Sequence, residues 1–265
     1  MMLLDEVLTD FILSLERAPD EIRDATRFIC EGHRSAIIFR IDNVVDYLLR
    51  FPKSLPLLED FPCLAPPYPD IWLEAVGIPG ELRSAVWIHY EEIFDKPPAK
   101  WAMIIIPWWK LGRQLRTATA YWCVLTHAGR IVAFQRAKDP AVGGESAFLV
   151  CALFAIGLTN CGNVIRTDHI PRTNRRHGGK GHGRIYKTLE IDPMRKVLEA
   201  EGNAQRTGLK LALHICRGHF KHFDQHGLFG KYTGTYWWAD HVRGSRERGE
   251  VVKQYWINAT KDEAA

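Results

Sequence analysis

The sequence predicts an α+β protein in which a helical N-terminal part is followed by an antiparallel β-sheet with one buried helix. Apolar residues within the first fifty positions recur at i, i+3 or i+4 and i+7, the spacing of a helix with one apolar face. From about residue 101 the composition becomes β-branched and the period becomes that of strands. Runs of helices and runs of strands in separate parts of a chain are typical of α+β folds.

Three helices are predicted before residue 52. The first has an apolar stripe, and Pro19 lies in a break at residues 17–21 where a second helix can begin. We expect the second helix to continue through about residue 31 and a third to cover about 35–50. The stripe of the first helix consists of Leu3, Leu4, Val7, Leu8, Phe11, Ile12 and Leu15.

Residues 52–80 are predicted to form an extended, proline-rich connector. The segment from Phe51 to Gly80 contains seven prolines, which exclude a regular helix. The apolar run Ile71-Trp72-Leu73 indicates that the connector is packed against the protein surface. A short helix over 80–93 is predicted to follow it.

The remainder is predicted to be mainly β-structure. Two apolar stretches around the turn His127-Ala128-Gly129-Arg130 predict a hairpin, and the apolar run at about 145–160, with Glu145 near its start, predicts the buried helix. Further strands are expected at about 163–168, 184–191, 208–223, 234–243 and 251–257.

The charge of the chain is unevenly distributed. Residues 1–98 contain 9 Lys and Arg against 18 Asp and Glu, whereas residues 99–265 contain 26 against 13. We therefore predict an acidic helical region over 1–98, including the connector 52–80, and a basic α+β domain over 99–265. Such asymmetry indicates either a polyanionic partner for the basic part or mutual attraction of the two parts.

The composition also predicts a cytoplasmic chain that does not enter a membrane. No apolar run reaches the length of a membrane span, and the N-terminus lacks the basic segment of a signal peptide. The six cysteines include no C-x-x-C pair, which favours free thiols in a reducing compartment. No cofactor is predicted.

A basic loop is predicted at residues 172–184. The segment 164–187 holds seven Lys and Arg, four Gly and one acidic residue, and such a composition cannot form a packed core. Flexible cations suit a phosphate backbone, although the spacing is not that of a P-loop. A solvated surface loop is the alternative interpretation. The predicted phosphate-binding residues are Arg172, Arg175, Arg176, Lys180 and Arg184.

The second candidate site is a histidine-rich hairpin at residues 208–244. Five of the eleven histidines lie between His214 and Gly244. Because strand side chains alternate between faces, pairing of the two strands can gather cations, imidazoles and an aromatic surface for bases, provided that no bulge changes the register. The predicted face consists of Arg217, His219, Lys221, Trp237, His241 and Arg243, with Tyr232 nearby.

This face suggests metal-independent cleavage of RNA. Two imidazoles beside a phosphodiester can act as general base and general acid, and cations can stabilise the charged phosphorane. In this version His219 and His241 are the acid–base pair, and Arg217, Arg243 and Tyr232 complete the catalytic residues.

Two other interpretations of the hairpin remain open. His214, Cys216 and His222 share a predicted face and are candidate zinc ligands, but their spacing matches no zinc signature. Alternatively, the histidines are surface residues and the Tyr-Trp-Trp run at 236–238 packs on the core.

The chain resembles a family of phage and bacterial proteins to which no activity is assigned. The resemblance covers about half of the chain and lies in four stretches: PPYPDIWLE (66–74), LTNCGNV (158–164), RIYKTLEI (184–191) and RGHFKHF…GLFGKYTGTYWW…HVRG (217–244). It implies a phage or mobile-element context and nothing about chemistry.

The sequence thus predicts a nucleic-acid-binding protein, with RNA or single-stranded DNA as partner rather than duplex DNA. Catalysis by the hairpin is the sharper version of this hypothesis. The alternative is a protein-interaction module that binds a partner through the acidic residues of 1–98 and keeps the hairpin as a structural, or zinc-bound, element.

Overall fold

The computed structural model shows helices and a large mixed sheet, so the prediction of an antiparallel sheet is wrong for the strands that pair in parallel. It describes residues 2–17, 19–50, 61, 63–78, 82–93, 97–117, 120–136, 147–170, 184–191, 212–216, 218–238, 241–243 and 245–250; for 212–216, 241–243 and 245–250 it describes the backbone alone. The helices are α1 (Leu3–Arg17), α2 (Asp20–Ser35), α3 (Asp42–Arg50) and α4 (Ala147–Thr159).

The large sheet contains nine strands in the order β7-β6-β4-β3-β2-β1-β9-β8, with β5 paired to β4. All of its neighbouring strands are antiparallel except β1, which is parallel to both β2 and β9. Its strands are β1 (Ile37–Arg40), β2 (Asp70–Ile78), β3 (Leu82–Glu92), β4 (Ala99–Leu111), β5 (Gln114–Thr117), β6 (Tyr121–Thr126), β7 (Ile131–Arg136), β8 (Val164–His169) and β9 (Tyr186–Ile191).

Two smaller sheets form from the C-terminal strands. One is the hairpin β11–β12, and the other has the order β13-β10-β14. These strands are β10 (Ala212–Cys216), β11 (His219–Leu228), β12 (Tyr232–Trp238), β13 (His241–Arg243) and β14 (Ser245–Glu250).

The core lies on both faces of the large sheet. On one face α1 and α2 cover a cluster around Trp72 and Trp87. On the other, α3 and α4 cover a larger cluster that includes Ile71 and Ile88 and extends to the hairpin residue Trp237. Strands buried on both faces carry continuous apolar runs instead of a polar–apolar alternation.

This two-sided burial explains where the predicted elements were wrong. Residues 82–92 form strand β3, whereas a short helix was predicted over 80–93. Both faces of β3 are covered, so its sequence lacks the alternation that would identify it as a strand. The predicted connector contains β2, whose residues Ile71, Trp72 and Leu73 are fully buried in the sheet. The third helix begins only at Asp42, since 37–40 forms β1.

Other predictions are confirmed. Helices α1, α2 and α4 and the hairpin β6–β7 lie where the sequence places them. Strands β8 and β9 pair on either side of the basic segment. Most of that segment, and the strand expected at 251–257, lie outside the described residues.

The predicted boundary at residues 98 and 99 falls between β3 and β4. These two strands pair over their whole length, from Leu82 opposite Leu111 to Glu92 opposite Trp101. Residues on both sides of the boundary therefore belong to one sheet.

Opposite charges of the two parts meet within the fold. Arg184 donates to Asp5 at 2.9 Å and Lys110 pairs with Glu6, while within residues 1–98 Arg83 also pairs with Glu6 at 3.3 Å. At the first turn of α1 the buried carboxylate of Glu74 accepts from the Leu3 amide at 3.1 Å and from Arg83 at 2.6 Å. A carboxylate at a helix N-terminus also interacts favourably with the helix dipole. Part of the charge asymmetry is thus used internally.

Among the described residues, no helix has the length and apolar character needed to cross a membrane.

Candidate nucleic-acid interface

The register of the β11–β12 hairpin decides which side chains share a face. His219 lies opposite Trp238 and Lys221 opposite Tyr236, whereas Phe220 lies opposite Trp237. Directly opposed residues in an antiparallel pair point to the same side. The hairpin therefore has one face with His219, Lys221, Phe223, Tyr236 and Trp238, and a second face with Phe220, His222, Thr235 and Trp237.

The second face anchors the hairpin to the core. The Trp237 side chain is 1% exposed and contacts Phe154 of α4 edge-on, with ring centroids 4.8 Å apart. Phe220 packs against the same Trp237 ring at 4.7 Å. At Gly157 of α4 a Cβ would lie 2.9 Å from the Phe220 ring, so the glycine permits this close approach.

A short turn after α4 fixes the position of β12. The Asn163 side chain accepts from the Trp237 amide at 2.9 Å and donates to the Trp237 carbonyl at 2.8 Å. Asn160 donates to the carbonyls of Cys63 and Ala65 at 3.0 and 2.9 Å. The two asparagines of LTNCGNV thus hold the hairpin and the proline-rich segment in place.

The first face carries the cation of Lys221 among aromatic rings; we call His219, Lys221, Phe223, Tyr232, Tyr236 and Trp238 the outward face. The ammonium of Lys221 lies 5.0 Å from the centroid of Phe223 and 5.3 Å from that of Trp238. Tyr236 contacts Phe223 and Tyr232 edge-on, at 5.8 and 6.1 Å. His219 and Lys221 are exposed, and the four rings are half-buried. This surface can offer both a positive charge and ring faces or edges to a ligand.

The register corrects the predicted hairpin face. Trp237 is buried on the anchoring side, so it is not an open surface for a nucleobase beside His219 and Lys221. Trp238 takes that position instead. The prediction assumed that odd positions of both strands lie opposite one another, whereas each ladder pair from His219 to Phe223 joins an odd to an even position.

The proposed catalytic histidines are not opposed either. His241 pairs with Cys216 in the β10–β13 ladder, whereas His219 pairs with Trp238. The two histidines therefore belong to different sheets, His219 to β11–β12 and His241 to β13-β10-β14. Arg243 pairs with His214. Arg217, between the two ladders, lies outside the described residues.

The remaining candidates occupy different places. Arg184 precedes β9 and is held by Asp5 on α1. Arg172, Arg175, Arg176 and Lys180 lie outside the described residues. Of the candidate zinc ligands, His222 contacts the Thr235 hydroxyl at 3.1 Å, and His214 and Cys216 are described as backbone only. Where side chains are described, no three His, Cys, Asp or Glu residues form a group suited to a metal ion.

The cysteines whose side chains the structure describes are free thiols. Burial raises the pKa of Cys123 to about 12 and that of Cys151 to about 11. Burial also raises the pKa of Cys63, although a hydrogen bond from Thr235 opposes the change. Since the thiolate is the nucleophilic form, these cysteines are poor nucleophiles at neutral pH.

One acid–imidazole pair was not identified from the sequence. His89 Nδ1 lies 2.9 Å from Asp70 Oδ1, and Ser35 donates to the other oxygen of Asp70 at 3.2 Å. Carboxylates orient the imidazole of general bases in this way. The same contacts join the end of α2 to the sheet. The two residues are nineteen positions apart and meet only because β2 and β3 pair, so no local motif reveals them.

The chain matches no protein-family model, no curated protein and no solved structure.

Proposed function

We propose that the chain binds single-stranded nucleic acid, RNA or single-stranded DNA, on the outward face of the β11–β12 hairpin. The observation that carries the proposal is the register, which separates Lys221 and the half-buried rings of the outward face from Phe220 and the buried Trp237, the two rings that pack on the core.

Single strands suit this surface better than a duplex. Their bases are accessible, so rings such as Trp238 can stack on them while Lys221 neutralises a neighbouring phosphate. In a duplex the base faces are already stacked, and only edges and phosphates remain available. The cation close to two ring centroids supports a ligand that offers charge and flat surfaces together.

The basic segment belongs to the same proposal. The strands that flank it, β8 and β9, pair with each other, with His169 opposite Tyr186. We propose that Arg172, Arg175, Arg176 and Lys180 bind phosphates there. Arg184 is not included among these phosphate-binding residues, because its guanidinium already pairs with the Asp5 carboxylate. A cytoplasmic location and a phage or mobile-element context, the latter from the resemblance, complete the proposal.

We propose binding without assigning a reaction. The cleavage hypothesis needs two imidazoles on one phosphodiester, and His219 and His241 belong to two different sheets. A protein partner for the acidic helices remains the alternative. It is less favoured because Asp5 and Glu6 of α1 are engaged by Arg184, Arg83 and Lys110.

The test is binding of labelled single-stranded RNA, single-stranded DNA and duplex DNA across a salt series. We expect Lys221→Ala to weaken single-strand binding several-fold and to reduce the salt slope by about one, the effect of losing one phosphate contact. The control is Arg113→Ala, which removes one charge from the exposed β4–β5 turn.

Two results would overturn the proposal. One is the absence of binding to all three probes at low salt. The other is an equal loss for Lys221→Ala and Arg113→Ala, which would mean that net charge and not the outward face determines affinity. Running the products on a denaturing gel reports cleavage in the same experiment.

A further inference from the structure

The tip of the β11–β12 hairpin has an unusual backbone. The turn is closed by a hydrogen bond from the Lys231 amide to the Leu228 carbonyl at 3.1 Å. Between them Phe229 and Gly230 both adopt left-handed backbone, with φ of 55° and 71°. Consecutive positive φ values in a hairpin turn favour Asn or Asp followed by Gly. Here the first of these positions is a phenylalanine.

Two other hairpin turns of the chain have glycine at their left-handed position. Gly112 has φ 58° in the β4–β5 turn, and Gly129 has φ 76° in the β6–β7 turn. Within the described residues, Phe229 is the sole non-glycine residue with positive φ. A side chain with a Cβ is disfavoured in this conformation, so the ring is kept there at a cost in stability.

Core packing does not account for this ring. Phe229 is 56% exposed and belongs to neither apolar cluster. Its ring projects from the end of the element that carries the outward face, and the exposed Lys231 lies in the same turn. Strained residues that persist in a fold are typical of binding and catalytic sites.

We propose that Phe229 is a stacking wedge that inserts between neighbouring bases of the bound strand. This inference rests on the proposed nucleic-acid binding and assigns the tip a separate role within it. An exposed aromatic ring can take a base on either face, and such stacking tolerates any sequence because every base is flat. Lys231, in the same turn, would then contact the phosphate next to the two bases that the ring separates.

The test uses the full chain and a single-stranded oligonucleotide carrying 2-aminopurine, whose fluorescence falls when the base stacks. We expect Phe229→Asn to weaken binding by about tenfold and to remove most of the quenching. The same variant should raise the Tm, because Asn tolerates left-handed backbone better than Phe. Phe229→Trp should retain affinity and quenching. Leu111→Asn, at another exposed turn, should leave affinity unchanged.

The outcomes distinguish failure of the wedge proposal from failure of the proposed nucleic-acid binding. If Phe229→Asn binds and quenches like the wild type while Lys221→Ala still weakens binding, the wedge is wrong and the outward face stands. If Phe229→Asn lowers the Tm together with affinity, the ring is structural and the proposal fails. It also fails if the variant loses binding to anionic phospholipid vesicles but keeps its nucleic-acid affinity, since the tip would then be a membrane contact.

Discussion

At the scale of single residues, a buried histidine makes stability depend on pH. The His33 ring is fully buried, stacks on Trp87 with centroids 4.6 Å apart, and lies with Nδ1 2.7 Å from the Ile29 carbonyl oxygen. Desolvation by burial lowers its pKa from 6.5 to about 4, against smaller opposing effects of the Ile29 carbonyl and Asp70. Charging this imidazole therefore opposes folding.

The sign of the effect follows from proton uptake. Between pH 6.5 and about 4 the unfolded chain binds a proton at His33 that the folded chain does not, so stability falls as pH falls through this window. The loss reaches at most about 3 kcal/mol and levels off below the folded pKa. We expect His33→Phe to remove this component of acid sensitivity in urea unfolding at several pH values. His127→Ala, at an exposed turn, is the control. An unchanged pH profile in His33→Phe would contradict this account.

Some residue roles could be predicted from the sequence and others could not. The density of histidine and arginine drew attention to the hairpin, where Lys221 and His219 are indeed exposed. One interpretation of the sequence placed the whole Tyr-Trp-Trp run on the core, but which tryptophan is buried was not predicted, because Trp237 and Trp238 are adjacent and identical in type. A shift of one residue in register exchanges their faces. Only the anchoring contacts to Phe154 and Asn163 determine which tryptophan points inward.

At the scale of elements, these adjacent tryptophans separate the two faces of the hairpin experimentally. Trp237→Ala removes a buried ring and should destabilise the fold by about 3–5 kcal/mol. Trp238→Ala removes a half-buried ring from the outward face and should cost less stability but weaken single-strand binding. Chemical denaturation and fluorescence anisotropy measure the two effects. Equal losses of stability, or a loss of binding in Trp237→Ala alone at a temperature where both are folded, would refute the assignment of faces.

Element types were predictable where one strong signal exists. The uncharged apolar run of α4 has the length of a helix, and the Gly129 turn with its flanking strands indicates a hairpin. Strand β3 was misassigned because an element that is buried on both faces loses its alternation. Strand β2 was obscured by the prolines that precede it, although none lies within Asp70–Ile78. Strand β1 is only four residues long and lies between two helices.

At the scale of the whole molecule, the charge asymmetry suggested a boundary between residues 98 and 99, but the large sheet contains strands from both sides of it. Strands β3 and β4 pair across residues 98 and 99, and Lys110 on β4 pairs with Glu6 on α1. The sequence does not reveal the full extent of this sheet, since pairing between strands that are distant in the chain, such as β1 and β9, leaves no local pattern.

We therefore expect that neither fragment 1–98 nor fragment 99–265 folds alone. Each would expose one edge of the β3–β4 ladder and the apolar residues on both faces of its strands. Circular dichroism and amide chemical-shift dispersion of the separate fragments test this expectation. Cooperative unfolding of either fragment by itself would show that the boundary is a true domain boundary.

The central claim is that nucleic acid lies on the outward face of the hairpin, and ultraviolet crosslinking of a bound single strand tests it most directly. Peptide mapping of the crosslinked protein identifies the residues that touch bases. We predict crosslinks at Trp238, Tyr236 and the tip residue Phe229, with Trp237 unlabelled because it is buried. Crosslinks confined to aromatic residues of the large sheet, such as the exposed Trp122, would place the interface elsewhere and contradict the account.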